Sequence, residues 1–224
     1  MFRFLLIALL ILGGQAATAQ TAPSAREIAV YDRVFKAAHH GDVAAIAKLA
    51  SEGADVDARD ATGRAPIHVA AFASQDDALR ALAEAGADMN ALDGQAYDVV
   101  TIAAVANDPD LMSLAIDLGN DPGLVTSPYD GTALIAAAHL GHAEVVRRLI
   151  AAGAPLDHVN NLQWTAVIEA VVLGDGGPNH QAVLDALLEA GADGTLADRE
   201  GVTPLQHAEN RGFAEMAQRL RQQD

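Results

Sequence analysis

Residues 131–155 read GTALIAAAHLGHAEVVRRLIAAGAP. Thr132 is a residue type that caps the free N–H groups opening a helix. The alanine-rich run behind it predicts a short first helix. Gly141 permits the sharp turn into a second helix. There Val145, Val146 and Leu149 fall on one face, with Arg147 and Arg148 between them toward solvent. Gly153 then ends the second helix as a left-handed C-cap. The stretch therefore reads as a helix–turn–helix unit, in which the histidines and arginines first belong to the frame.

Two landmarks of this unit recur in phase. The terminating glycine returns as Gly53, Gly86, Gly119, Gly153 and Gly191, at spacings of 33, 33, 34 and 38 residues. A small-residue pair followed three positions later by a turn residue returns as well. It appears as Ala37-Ala38 with Gly41, Ala70-Ala71 with Ser74, and Ala103-Ala104 with Asn107. It continues as Ala137-Ala138 with Gly141, Ala170-Val171 with Gly174, and Ala208-Glu209 with Gly212. A fixed period of this length marks a repeat architecture. Helices of roughly eight to ten residues are too short to stand alone in water. Each unit must bury its apolar face on a neighbour, and stability becomes a sum over unit interfaces. The Asp- and Gly-rich segments between units, such as ADVDARDATG at 54–63, read as extended turns or fingers.

APIHVAAFASQDDALRALAEAGADMNA at 65–91, DGTALIAAAHLGHAEVVRRLIAAGA at 130–154 and DREGVTPLQHAENRGFAEMAQRL at 198–220 carry a resemblance to the ankyrin repeat. More closely, the chain resembles the secreted bacterial ankyrin-repeat proteins. The resemblance implies an all-α solenoid of about six helix–turn–helix units joined by β-turn or finger loops. Their expected bounds are 28–59, 60–92, 93–126, 127–159, 160–197 and 198–224. It also implies a curved frame that binds other proteins, with no catalysis of its own. Some units depart from the pattern. The third has DVVT at 98–101 where TPLH belongs, so a weaker cap and turn are expected. Asn120–Tyr129 holds two prolines and is expected to be an irregular finger. The fifth carries about five extra residues in LGDGGPNH at 173–180.

The N-terminus differs in kind. MFRFLLIALLILGGQAATAQ places Arg3 before an apolar run from Leu5 to Leu12, then Ala17-Thr18-Ala19. This is the order of a secretory signal with cleavage after Ala19. The run is shorter than the ~20 apolar residues needed to cross a bilayer. Residues 1–19 are therefore expected to be a removed leader, 20–27 a short linker, and the periplasm the address. The chain has no cysteine, which excludes disulfides and thiolate metal sites. Its formal charge of −16 disfavours nucleic-acid binding, keeps a stacked-helix protein soluble and suits a basic partner.

His139 and His142 stand at i, i+3 around Gly141, whereas a helical zinc pair of the H-E-x-x-H kind stands at i, i+4. His68 occupies the TPLH histidine position, which the resemblance assigns to bonds between fingers. His39 and His40 follow a small-residue pair, which the resemblance places on the concave face, open to a pH-sensitive contact. GDGGP at 174–178 lacks the Lys-Ser/Thr ending of a phosphate loop and the alternating carboxylates of a calcium loop. No nucleophile motif is present, and the carboxylates read as solvated surface.

From the repeat geometry, the concave face should carry Arg59, Thr62, Arg64, Phe72, Gln95, Tyr97, Tyr129, His139, Leu140, Asn161, Trp164, Arg199 and Glu200. The narrower partner-binding set is Arg59, Arg64, Phe72, Tyr97, Tyr129, His139, Leu140, Asn161, Trp164 and Arg199. Tyr and Trp are frequent interface anchors, so Tyr97, Tyr129 and Trp164 lead it. The expected function is a monomeric, non-catalytic, cofactor-free protein-binding module. The alternative is a small-ligand or metal-binding protein using surface histidines and the 173–180 insertion.

Overall fold

The computed structural model describes residues 20–223; the expected leader lies outside the described residues. Among the described residues the chain forms thirteen helices and no strand. The helices are α1 (Ala25–Val30), α2 (Arg33–His40), α3 (Val43–Ser51), α4 (Pro66–Phe72), α5 (Asp76–Glu84), α6 (Val99–Ala106) and α7 (Pro109–Asp117). They continue as α8 (Ala133–Leu140), α9 (Ala143–Ala151), α10 (Ala166–Val172), α11 (Pro178–Glu189), α12 (Pro204–Asn210) and α13 (Ala214–Leu220). From α2 onward they form six consecutive antiparallel pairs. The even-numbered helices pack on one another as an inner row, and the odd-numbered helices from α3 onward as an outer row.

Local chemistry sets these bounds. Thr132, Thr165 and Thr203 each accept a hydrogen bond from the N–H three residues on, and Thr203 closes a capping box with Gln206. The outer helices end alike. The N–H one residue past the landmark glycine reaches five positions back, as in Ala54 to Leu49, Ala87 to Leu82 and Ala154 to Leu149. This Schellman geometry requires the left-handed conformation, and Gly86 supplies it at φ 91°.

The rows differ in what they bury. Ala37, Ala38, Ala70, Ala71, Ala103, Ala104, Ala137, Ala138 and Ala170 are buried along the inner row. Their small side chains let helices approach closely. Leu79, Leu82, Leu111, Met112, Leu149, Leu184 and Leu187 are fully buried in the outer row. One continuous hydrophobic cluster runs from Val34 to Leu220.

Four expectations are corrected. The third unit is not weakly capped. Asp98 accepts from Thr101 N–H at 2.8 Å, and Asn107 takes the left-handed turn at φ 52°. Aspartate caps as well as threonine, and asparagine tolerates that conformation. The finger around 120–131 is partly regular, closed by an antiparallel Thr126–Gly131 bridge. The expected linker, residues 20–27, runs into helix α1, which crosses its expected end and is opened by Ser24 and Glu27 in a capping box. Arg148 does not simply face water: its Nη1 donates to the Pro109 carbonyl (2.9 Å) and to Ser113 Oγ (2.8 Å) of α7.

The 173–180 insertion is absorbed by the frame. It lengthens α11 to twelve residues, and His180 donates to the His139 carbonyl at 2.9 Å. On the other side Arg211 donates to the Gly174 carbonyl at 2.9 Å. Phe213 packs so tightly on Gly176 that an added Cβ there would fall 2.5 Å from its ring.

Asp98 also accepts from the buried Asn120 amide at 2.8 Å. Replacing it with alanine should cost about 1 kcal/mol for the cap and about 1–2 kcal/mol for the orphaned amide. Asp98→Thr should restore only the cap. Urea unfolding of the two variants tests this, with a lower midpoint for Asp98→Ala than for Asp98→Thr.

Candidate functional site: finger tips and inner helices

The fingers are tied edge to edge. Gly94 N–H donates to the Thr62 carbonyl (3.1 Å), Ser127 to Ala96 (2.7 Å) and Asn161 to Tyr129 (2.9 Å). His68 extends the ties from the inner helix. Its Nδ1 accepts from Ala65 N–H (3.0 Å), which leaves Nε2–H to donate to the Tyr97 carbonyl (3.1 Å). Burial pushes its pKa below the ordinary histidine value, so the neutral tautomer fits both bonds. The finger tips and the C-terminal ends of the inner helices thus form one fixed surface.

The sequence-derived residues spread along it. Tyr129 is 41% exposed. Tyr97 and Trp164 are half-buried at the bases of their fingers. The Trp164 backbone is locked to Asn160 by bonds of 3.0 Å in both directions. Burial, then Asp93 and Tyr129, pushes the Tyr97 phenol above its usual range. Phe72, His139 and Leu140 are half-buried at the ends of α4 and α8, as is Gln95 on its finger. Asn161, Glu200 and Thr62 are exposed. Arg59 and Arg199 are exposed but engaged: Arg59 donates to the Leu92 carbonyl at 2.6 Å, and Arg199 to the Asn161 carbonyl at 2.7 Å.

Arg64 is corrected. It is 4% exposed and no part of an open surface. Its Nε donates to Asp60 at 3.1 Å, Nη1 to the Thr21 carbonyl at 3.3 Å, and Nη2 pairs with Glu27. Together with the Tyr31 hydroxyl, which donates to Asp60 at 2.9 Å, it fastens α1 to the second finger. The finger position that would meet solvent elsewhere is covered here by the N-terminal helix.

The histidines find separate partners. His142 Nδ1 donates to the Ala104 carbonyl at 2.8 Å, while His139 Nδ1 lies 3.5 Å from Glu169 Oε2. His40 donates to the Lys36 carbonyl at 2.9 Å. Among the described residues no three His, Cys, Asp or Glu side chains converge in a way that could hold a metal ion.

Glu169 departs from the expectation that the carboxylates form mostly solvated surface. It lies on the buried face of α10, where α4 has Val69 and α6 has Ile102. Its Oε1 accepts from Asn160 Nδ2 at 3.0 Å. Its Oε2 has no hydrogen-bond partner, and the side chain is 6% exposed. Burial pushes its pKa up to about 7, against the lowering pull of Asn160. The signal was in the register: a glutamate where the three preceding units carry apolar residues, Val69, Ile102 and Ala136. In the last unit the same position holds His207, which pairs with Asp198 at 2.7 Å. Donor and acceptor are exchanged between the two units.

Because folding raises the Glu169 pKa from 4.5 to about 7, the stability this group allows is fully present below pH 4.5. It is lost as pH rises through 7. Glu169→Gln removes that loss and keeps an acceptor for Asn160. Its stability relative to the parent chain should grow by roughly 2–3 kcal/mol between pH 4.5 and pH 8. Chemical unfolding at both pH values checks this; an unchanged difference would contradict the buried, protonated carboxyl.

A family model described as ankyrin repeats (three copies) matches residues 9–93 and 100–198. The Escherichia coli K12 ankyrin repeat protein YahD is 42% identical over 93 residues, 41% of this chain and 46% of its own length. The chain thus spans under half of that relative. An ankyrin repeat domain from Acinetobacter baumannii AYE is 42% identical, with a TM-score of 0.79 over 85% of this chain and 96% of its own. The ankyrin repeat protein EF0377 is 27% identical, with a TM-score of 0.78 over 87% of this chain and 100% of its own. Repeat period, stacked helix pairs, tied fingers and sequence match agree: the chain belongs to the ankyrin-repeat family.

Proposed function

We propose that this chain is a non-catalytic, monomeric protein-binding module of the bacterial periplasm, docking its partner on the finger tips and inner helices. Ankyrin repeats generally mediate protein–protein interaction. One observation carries the reading here. Ties between fingers fix a row of aromatic and apolar side chains, half-buried except for the exposed Tyr129. Phe72, Tyr97, Tyr129, Leu140 and Trp164 compose that row. Rigid aromatic anchors on a preorganised surface lose little entropy on binding. The periplasmic address rests on the charge and apolar pattern of residues 1–19. The acidic surface favours a basic partner over a nucleic acid.

Replacing Tyr97, Tyr129 and Trp164 together with alanine should abolish crosslinking to partners in the native host's periplasm and leave helicity unchanged. Retained capture by a folded triple variant would overturn the docking face. Fusing residues 1–24 to a reporter that is active only after export should give activity; an inactive fusion would overturn the address.

A further inference from the structure

We infer that the partner inserts a cationic side chain at Glu169, and that this carboxylate is the charged anchor of the docking face. The inference rests on the protein-binding reading above and specifies the partner's chemistry. Glu169 sits in the register held by Val69, Ile102 and Ala136 in the three units before it; the first and last units carry polar groups there, but Lys36 is exposed and His207 is held by Asp198 at 2.7 Å. Packing gives no reason for a buried carboxyl group, and burying one is costly unless it is paired. Asn160 satisfies Oε1 at 3.0 Å. Oε2 is buried without a hydrogen bond, and a single ring, His139 at 3.5 Å, stands within ion-pair reach of it. That ring is 22% exposed at the end of α8, so a group arriving from solvent reaches Oε2 by displacing it.

The neighbouring titratable groups are committed elsewhere. His142, at the start of α9, bonds the Ala104 carbonyl. His180, on α11, is shared between Asp175 (2.9 Å) and the His139 carbonyl (2.9 Å). His207, on α12, is held by Asp198 at 2.7 Å. The nearby finger cation, Arg199, donates to the Asn161 carbonyl. None of these supplies a charge to Oε2. Burial holds the His139 pKa down, with His180 and His142 adding to the effect, so the ring meets the carboxyl as a neutral group. A guanidinium or ammonium would bring the missing full charge and form a charge-assisted bond. The Glu169 proton would leave to solvent as the cation enters. A chain of net charge −16 also draws basic surfaces toward it.

The test uses capped arginine (N-acetyl-arginine amide) as the probe and its uncharged analogue, capped citrulline, as the control. Both are titrated into the isotopically labelled chain and followed by amide chemical shifts. Capped arginine should give saturable shifts centred on Asn160, Glu169 and His139; citrulline should not. Apparent affinity should rise about tenfold from pH 6 to pH 8, as the carboxyl ionises with a pKa near 7. Glu169→Gln should lose at least tenfold and all pH dependence while unfolding cooperatively. His139→Ala should bind more tightly, because the competing ring is gone.

Equal shifts with citrulline, or unsaturable shifts over the acidic surface that persist in Glu169→Gln, would overturn the receptor. That result leaves the docking face standing, since the alanine triple tests it separately. Saturable arginine binding in a chain whose alanine triple still captures its partners would confirm the receptor and overturn the docking face instead.

Discussion

Every feature of this molecule depends on the pairing of short helices with their neighbours. The inner helices span seven or eight residues, about two turns, and such lengths are unstable alone. They persist because alanine pairs such as Ala70-Ala71 and Ala137-Ala138 let one inner helix lie close on the next. Leucines of the outer row fill the wider gap behind them. Removing one contact plane therefore exposes two units, which makes the solenoid cooperative over neighbours rather than around a single centre.

This constraint separates frame from function. Most polar groups that might suggest chemistry are consumed in holding units in register. His68 ties α4 to the Tyr97 finger, His142 ties α9 to the Ala104 carbonyl, and Asp98 with Asn120 closes the third unit. The residues proposed to meet a partner sit at finger tips and inner helix ends. Glu169 stands apart inside the frame: a buried carboxyl group in register with Val69 and Ile102, with one oxygen bonded and the other without a hydrogen bond.

The solenoid was legible because its signals are periodic. Landmark glycines, alanine pairs and threonine caps each recur at nearly the same interval, and one weak copy is supported by its neighbours. What the period does not encode was harder to read. Helix α1 has no partner copy and its segment is only six residues long. Arg64 matches a finger-tip position, but whether that tip meets solvent depends on α1 folding over it. The 173–180 stretch reads as a surface insertion, yet its histidine and glycines dock on both adjoining units. Glu169 looked like any acidic residue because charge alone carries no information on which face it occupies. The register against Val69 and Ile102 did carry it.

In the proposed function the partner docks on the fingers and inner helices, and the outer row serves as support. Amide hydrogen exchange of the chain alone and bound to its crosslinked partner tests this most directly. The account predicts added protection at the Tyr97, Tyr129 and Trp164 fingers and at the C-terminal ends of α4, α8 and α10, with α5, α7 and α9 unchanged. Protection confined to the outer helices would contradict it.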